Sequence, residues 1–157
     1  MEHIISVLVE NHFGVLAQIA GLFSGRGFNI DSLAVGETED SSKSRMTIVV
    51  KGDDNALEQA LKQLNRLVDV IEVIDLTDTM HVERELILVK VAADAKTRNE
   101  ITEVANIFRT KVVDVQPGSV TIEASGNPGK LQALVDLLRP HGIKELVRTG
   151  RIGLQRG

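Results

Sequence analysis

A chain of 157 residues, 43% of them hydrophobic, can build one domain of ordinary size or two small ones. Its net charge of −4 and its four aromatic residues, all phenylalanine, argue against a nucleic-acid surface, which needs a basic stripe or stacking platforms. The lack of cysteine excludes disulfides, thiol catalysis and thiolate metal sites, and His3, His12, His81 and His141 show no paired ligand spacing, so no metal site is expected.

The chain opens on MEHIISVLVE, which alternates toward a strand over His3 to Glu10 without a basic leader segment; with no apolar run long enough for a bilayer, a cytoplasmic location is expected. Val15, Leu16, Ile19, Leu22 and Phe23 then fall at helical spacing until Gly25-Arg26-Gly27 stops the helix. Phe28 to Gly36 reads as a strand, Gly36 to Arg45 as a polar loop, and Met46 to Lys51 as a short apolar strand. The loop stretch from Glu37 lacks apolar anchors and is expected to be mobile until something binds. Asp53 or Asp54 can cap a helix bearing Ala56, Leu57, Ala60, Leu61 and Leu64, and Val68 to Leu76 supplies a fourth strand.

The second half repeats that order. Glu85 to Ala92 is a strand, Ile101, Val104, Ala105 and Phe108 mark a helix, and Lys111 to Val115 and Val120 to Ala124 flank the hairpin signal Gln116-Pro117-Gly118-Ser119. Asn127-Pro128 is a cap followed by proline at the first helical position, and the helix through Leu131, Leu134, Val135 and Leu138 stops near Pro140 and Gly142. Ile143 to Thr149 closes the unit. Toward the end of the chain Lys144, Arg148, Arg151 and Arg156 alternate with Leu146, Val147 and Ile152, as in a strand with one charged face.

Two βαββαβ units predict an α+β fold: two ferredoxin-like domains, each an antiparallel sheet with helices on one face. The domains are placed at 1–76 and 84–157, with 77–83 (TDTMHVE) as a linker. Such a sheet leaves its other face and its edges uncovered, so self-association is expected; Ile30, Leu33 and Val35 either pair their strand with a second copy or face the chain's own core.

The segment Glu10 to Leu33 reads as a receptor for a small amino acid. Asn11 can cap the following helix or meet a ligand, Gly14 lets a ligand approach the backbone or makes a turn, and the free N–H groups of the first helical turn suit a carboxylate. No convergent acid, base or nucleophile is evident: Glu37, Glu39 and Asp40 lie in a loop, and Asp53 and Asp54 at a cap. The chain is expected to have no catalytic residues of its own.

Glu10-Asn11-His12-Phe13-Gly14-Val15-Leu16, followed by Arg26-Gly27-Phe28-Asn29-Ile30-Asp31-Ser32-Leu33, resembles an ACT domain of the amino-acid-sensing kind. With Ser44-Arg45-Met46-Thr47, Gln63 to Val70, His81 to Leu86 and Phe108-Arg109 in order, the whole chain resembles the regulatory small subunits of acetolactate synthase, also called acetohydroxyacid synthase. The resemblance implies an N-terminal ACT domain that pairs with a second copy, an ACT-like C-terminal domain without a second site, and a catalytic large subunit as partner. It also implies activation of that subunit and feedback inhibition by valine or another branched-chain amino acid.

Effector-binding positions carried over are Asn11, Gly14 and Asn29, the last reaching in from the other copy. The ligand carboxylate would meet backbone N–H groups around Gly14 to Leu16, and Val15, Ile30 and Val35 would form the apolar wall. Phe13 stands in the same loop where many ACT domains have proline. No cofactor is expected in this chain; thiamine diphosphate, FAD and magnesium would belong to the catalytic subunit. The alternative is a stand-alone amino-acid-sensing regulator acting on another protein or on DNA, for which no DNA-binding helix remains unassigned.

Overall fold

The computed structural model describes residues 1–157 and divides into two compact units, Met1–Val82 with Arg151–Gly157 and Glu83–Gly150. The first contains β1 (Glu2–Glu10), α1 (Val15–Gly25), β2 (Asn29–Glu37), β3 (Lys43–Lys51), α2 (Asp54–Leu64) and β4 (Val70–Asp75). Its antiparallel sheet has the order β2-β3-β1-β4. Alternation sends Ile5, Val7 and Val9 of β1 and Met46, Ile48 and Val50 of β3 to one face, where they are buried beneath Val15, Ile19 and Phe23 of α1 and Leu57, Ala60 and Leu64 of α2.

Local chemistry sets the helix ends. At α2 the cap is Asp53, whose carboxylate accepts from the Ala56 N–H at 3.1 Å. Gly27, at φ +79°, carries the chain out of α1 and back toward β2. Phe28 then enters the core edge-on to Phe23, with ring centroids 6.0 Å apart at 80°.

The second unit repeats the plan with β5 (His81–Ala92), α3 (Arg98–Ile107), β6 (Lys111–Gln116), β7 (Ser119–Gly126), α4 (Pro128–Leu138) and β8 (Ile143–Arg148). Its strands run β6-β7-β5-β8, all antiparallel. Ile87, Val89, Val91, Val120 and Ile122 pack beneath Ile101 and Ala105 of α3 and Leu131, Leu134 and Leu138 of α4. Asn127 caps α4 by accepting from the Lys130 N–H at 2.9 Å, with Pro128 in the first turn. The expected fold, two ferredoxin-like βαββαβ units with helices on one face of each sheet, is the one observed.

Three local expectations are corrected. Residues 37–45 form a hairpin rather than a loop: β2 and β3 continue into them with Glu37 opposite Ser44, and the turn is closed by Thr38 and Asp40, which accepts from Ser42. Those hydrogen bonds also hold the Asp40 carboxyl below the usual aspartate range. Residues 81–83, expected within a linker, already belong to β5.

The third concerns the end of the chain. Residues 151–157 were expected to extend the second domain, with a charged strand running on from Ile143. Instead Gly150, at φ +87°, ends that direction, and a separate strand, β9 (Ile152–Gln155), lies with the first unit. There the Arg151 N–H donates to Ser32 Oγ at 2.8 Å and its guanidinium grips Glu2 through two bonds of 2.8 and 3.1 Å. The Gly153 N–H donates to Thr47 Oγ1 at 3.2 Å, and a Cβ at Gly153 would meet Leu76 at 2.8 Å and Ile4 at 3.3 Å. The tail therefore covers the cluster of Ile4, Val49 and Leu76 on the sheet's helix-free face.

Candidate functional site

The loop between β1 and α1 is pinned from below. The Glu10 N–H donates to the Asp69 carbonyl at 2.8 Å, the Asn11 N–H to the Ser42 carbonyl at 2.7 Å, and His12 Nδ1 lies 2.8 Å from Asp69 Oδ1. The Asn11 amide donates to the Ser41 carbonyl at 3.2 Å and reaches Glu37 at 3.5 Å. Asn11 therefore does not cap α1, as the sequence allowed. The cap position is Gly14, left-handed at φ +86°, and no side chain caps the helix. A Cβ at Gly14 would meet nothing within 4 Å, and Leu16 and Ala17 in the first turn are exposed, whereas the Val15 N–H already donates to the His12 carbonyl at 3.4 Å.

Around this helix start, Phe13 is fully exposed and Leu16 and Val35 are about half exposed. Val15 is not part of a ligand wall: the first helical position turns inward, its side chain is buried in the core with Ile19 and Phe23, and only its backbone remains near the opening.

Asn29 and Ile30 lie elsewhere. Asn29 opposes Lys51, as does Glu2, whereas Glu10 opposes Lys43. The nine residues of β1 separate those ends by about 27 Å at the usual rise of a strand. Within one chain the sheet thus brings together Asn11, Phe13, Gly14, Leu16 and Val35 at one end and holds Asn29 and Ile30 at the other. A single effector cannot touch both groups in one copy.

Residue-type reasoning missed the partners of these groups. Asp69 and Ser41 anchor the loop across long sequence separations, which no local pattern reveals. Asp31, however, stands two residues after Asn29 and takes its amide hydrogen bond, while its second oxygen is 3.2 Å from Lys51 Nζ. That i, i+2 relation on a strand was readable from the Asn-Ile-Asp sequence alone.

The first unit is thus a ferredoxin-like βαββαβ domain whose first helix starts at a left-handed glycine without a side-chain cap. A family model described as an AHAS small subunit-like ACT domain matches residues 5–72, and one described as small subunit of acetolactate synthase matches residues 84–157. The chain is 54% identical over 155 residues to the acetolactate synthase small subunit of Mycobacterium bovis, covering 99% of this chain and 92% of that one. A probable acetolactate synthase small subunit of Archaeoglobus fulgidus is 54% identical over 157 residues, covering 100% and 98%. The crystal structure of the Thermotoga maritima acetolactate synthase small subunit superposes with a TM-score of 0.89 at 41% identity, covering 100% of this chain and 98% of that one. The chain belongs to the acetolactate synthase small-subunit family.

Proposed function

We propose that this regulatory subunit binds the catalytic large subunit of acetolactate synthase, raises its activity and confers feedback inhibition by valine or another branched-chain amino acid. Catalysis, and the thiamine diphosphate, FAD and magnesium it uses, would belong to the large subunit.

The observation that carries this reading is the split site. β2 is the edge of the first sheet, and a two-fold axis beside it would reverse strand direction in a second copy and set the Gly14 end of one sheet against the Asn29 end of the other. An amino acid held between copies would place its carboxylate on the first-turn amides after Gly14 and meet Asn29 from across the interface. Ile30 and Val35 would line the apolar side. Binding would then order an interface between copies, and a coupling of about 1–3 kcal/mol suffices for feedback control. A ligand as small as valine is compatible with micromolar to millimolar affinity.

The test is reconstitution with the large subunit and titration of valine against acetolactate formation. Gly14→Asp puts a strained side chain and a negative charge where the carboxylate would sit, so activation should persist while the half-inhibitory valine concentration rises by at least about tenfold, a loss of 1.4 kcal/mol. Normal inhibition of that variant would refute the site.

A further inference from the structure

We propose that Asp31 sets the polarity of the effector site by locking the Asn29 amide with its oxygen outward, so that the site accepts an α-ammonium group and rejects the corresponding 2-oxo acid. This deepens the effector reading above and rests on it.

An asparagine side chain is ambiguous by itself, with a donor NH2 and an acceptor oxygen that exchange places by a half-turn. At position 29 the half-turn is blocked. The Asn29 amide faces the Asp31 carboxylate, which at neutral pH only accepts, so the edge turned toward it must be the NH2. The carboxylate is fixed in turn: one oxygen holds Asn29 and the other lies 3.2 Å from Lys51 Nζ.

The backbone contributes to the arrangement. Pairing between β2 and β3 shifts between Ile30, opposite Val50, and Ser32, opposite Val49, which leaves Asp31 as the extra residue of a bulge. Asn29 is itself paired with Lys51, so three side chains converge at one end of the edge strand. What Asn29 presents outward is a carbonyl oxygen, an acceptor.

An amino acid and the 2-oxo acid of the same carbon skeleton differ at one group. The amino acid carries an ammonium with three donors, and the oxo acid a ketone that only accepts. A pinned acceptor pairs with the first and leaves the second unsatisfied, whereas a freely turning asparagine would serve both. For a regulator of an enzyme that consumes 2-oxo acids, this distinction keeps the substrate from acting as the inhibitor.

The experiment is calorimetric titration of the full-length chain with L-valine, L-leucine and L-isoleucine and with 3-methyl-2-oxobutanoate, the oxo acid of valine, on wild type and Asp31→Ala. Wild type should prefer valine over its oxo acid by at least about tenfold, and Asp31→Ala should narrow that preference to within about threefold while weakening valine binding. A structural defect alone would weaken both ligands and leave their ratio unchanged. Should Asp31→Ala not fold, Asp31→Asn offers the Asn29 amide a donor as well as an acceptor, frees the half-turn and should narrow the ratio in the same way; a folded Asp31→Asn that keeps the full wild-type ratio refutes the orienting role. If wild type binds valine and Asp31→Ala keeps the full preference, Asp31 does not set the polarity and the effector site stands. If wild type binds none of the three amino acids, the effector reading falls and this inference falls with it.

Discussion

Phe28 shows how closely one residue can depend on the lack of atoms at another. A Cβ at Gly52 would overlap the Cε1 and Cδ1 atoms of the Phe28 ring, which is already held edge-on by Phe23 and has no free rotamer space in the core. Gly52→Ala should therefore destabilise the chain by about 1–3 kcal/mol, read as a fall in the urea midpoint; an unchanged midpoint would show that the ring moves aside freely. Glu2 responds to pH for a related reason. The hydrogen bond from Arg151, followed by that residue's charge, keeps its carboxyl below the usual glutamate range against the opposing effect of burial. The unfolded chain thus binds the proton first as pH falls, so Glu2 stabilises the fold at neutral pH and that contribution is lost through the acid range. Melting temperatures of wild type and Glu2→Gln should differ at pH 7 and converge as the pH falls through the acid range below the ordinary glutamate value; a constant gap across that range would remove Glu2 from the pH response.

At the level of elements, legibility followed how local the determining contact is. The caps of α2 and α4 were readable because Asp53 and Asn127 bond N–H groups three residues ahead, and Asn127→Ala should cost about 1 kcal/mol in urea denaturation, since only the α4 start loses a partner. A cost near zero would mean that water replaces the side chain. The start of α1 misled for the same reason in reverse: Asn11 is a good capping residue by type, but its amide is claimed by Ser41, thirty positions away, and Gly14 takes the cap position by its left-handed backbone. The hairpin at residues 37–45 read as a loop because its stability comes from other strands. Arg45, for instance, donates to Ser6 at 2.8 Å and lies 3.9 Å from Glu72. The candidate site was half legible: its residues could be named from the sequence, whereas their division between opposite ends of the sheet depends on strand register.

Taken whole, the chain crosses from one unit to the other twice, once in β5 and once at Gly150, and the second crossing places the last seven residues on the first unit. The helix-free face of a four-stranded sheet exposes apolar residues that a small unit can ill spare, and here Ile4, Val49 and Leu76 are nearly completely buried beneath Gly153 and its neighbours. The glycine matters because any side chain aimed at Leu76 and Ile4 would lift the strand. Ending the chain at Gly150 removes the Arg151 grip on Glu2 and Ser32 together with this cover, and partial exposure of three apolar side chains should cost about 2–3 kcal/mol. The loss should be confined to the first unit. In hydrogen exchange, the Leu76 amide, which bonds the Ile4 carbonyl at 2.9 Å, and its neighbours in β1 and β3 should lose protection, while the β5 amides between Ile87 and Val91 and those of their β7 partners between Val120 and Ala124 keep theirs because their core is self-contained. Equal loss in both units would show instead that the tail stabilises the chain as one cooperative body, and unchanged protection in the first unit would show that its helix-free face needs no cover.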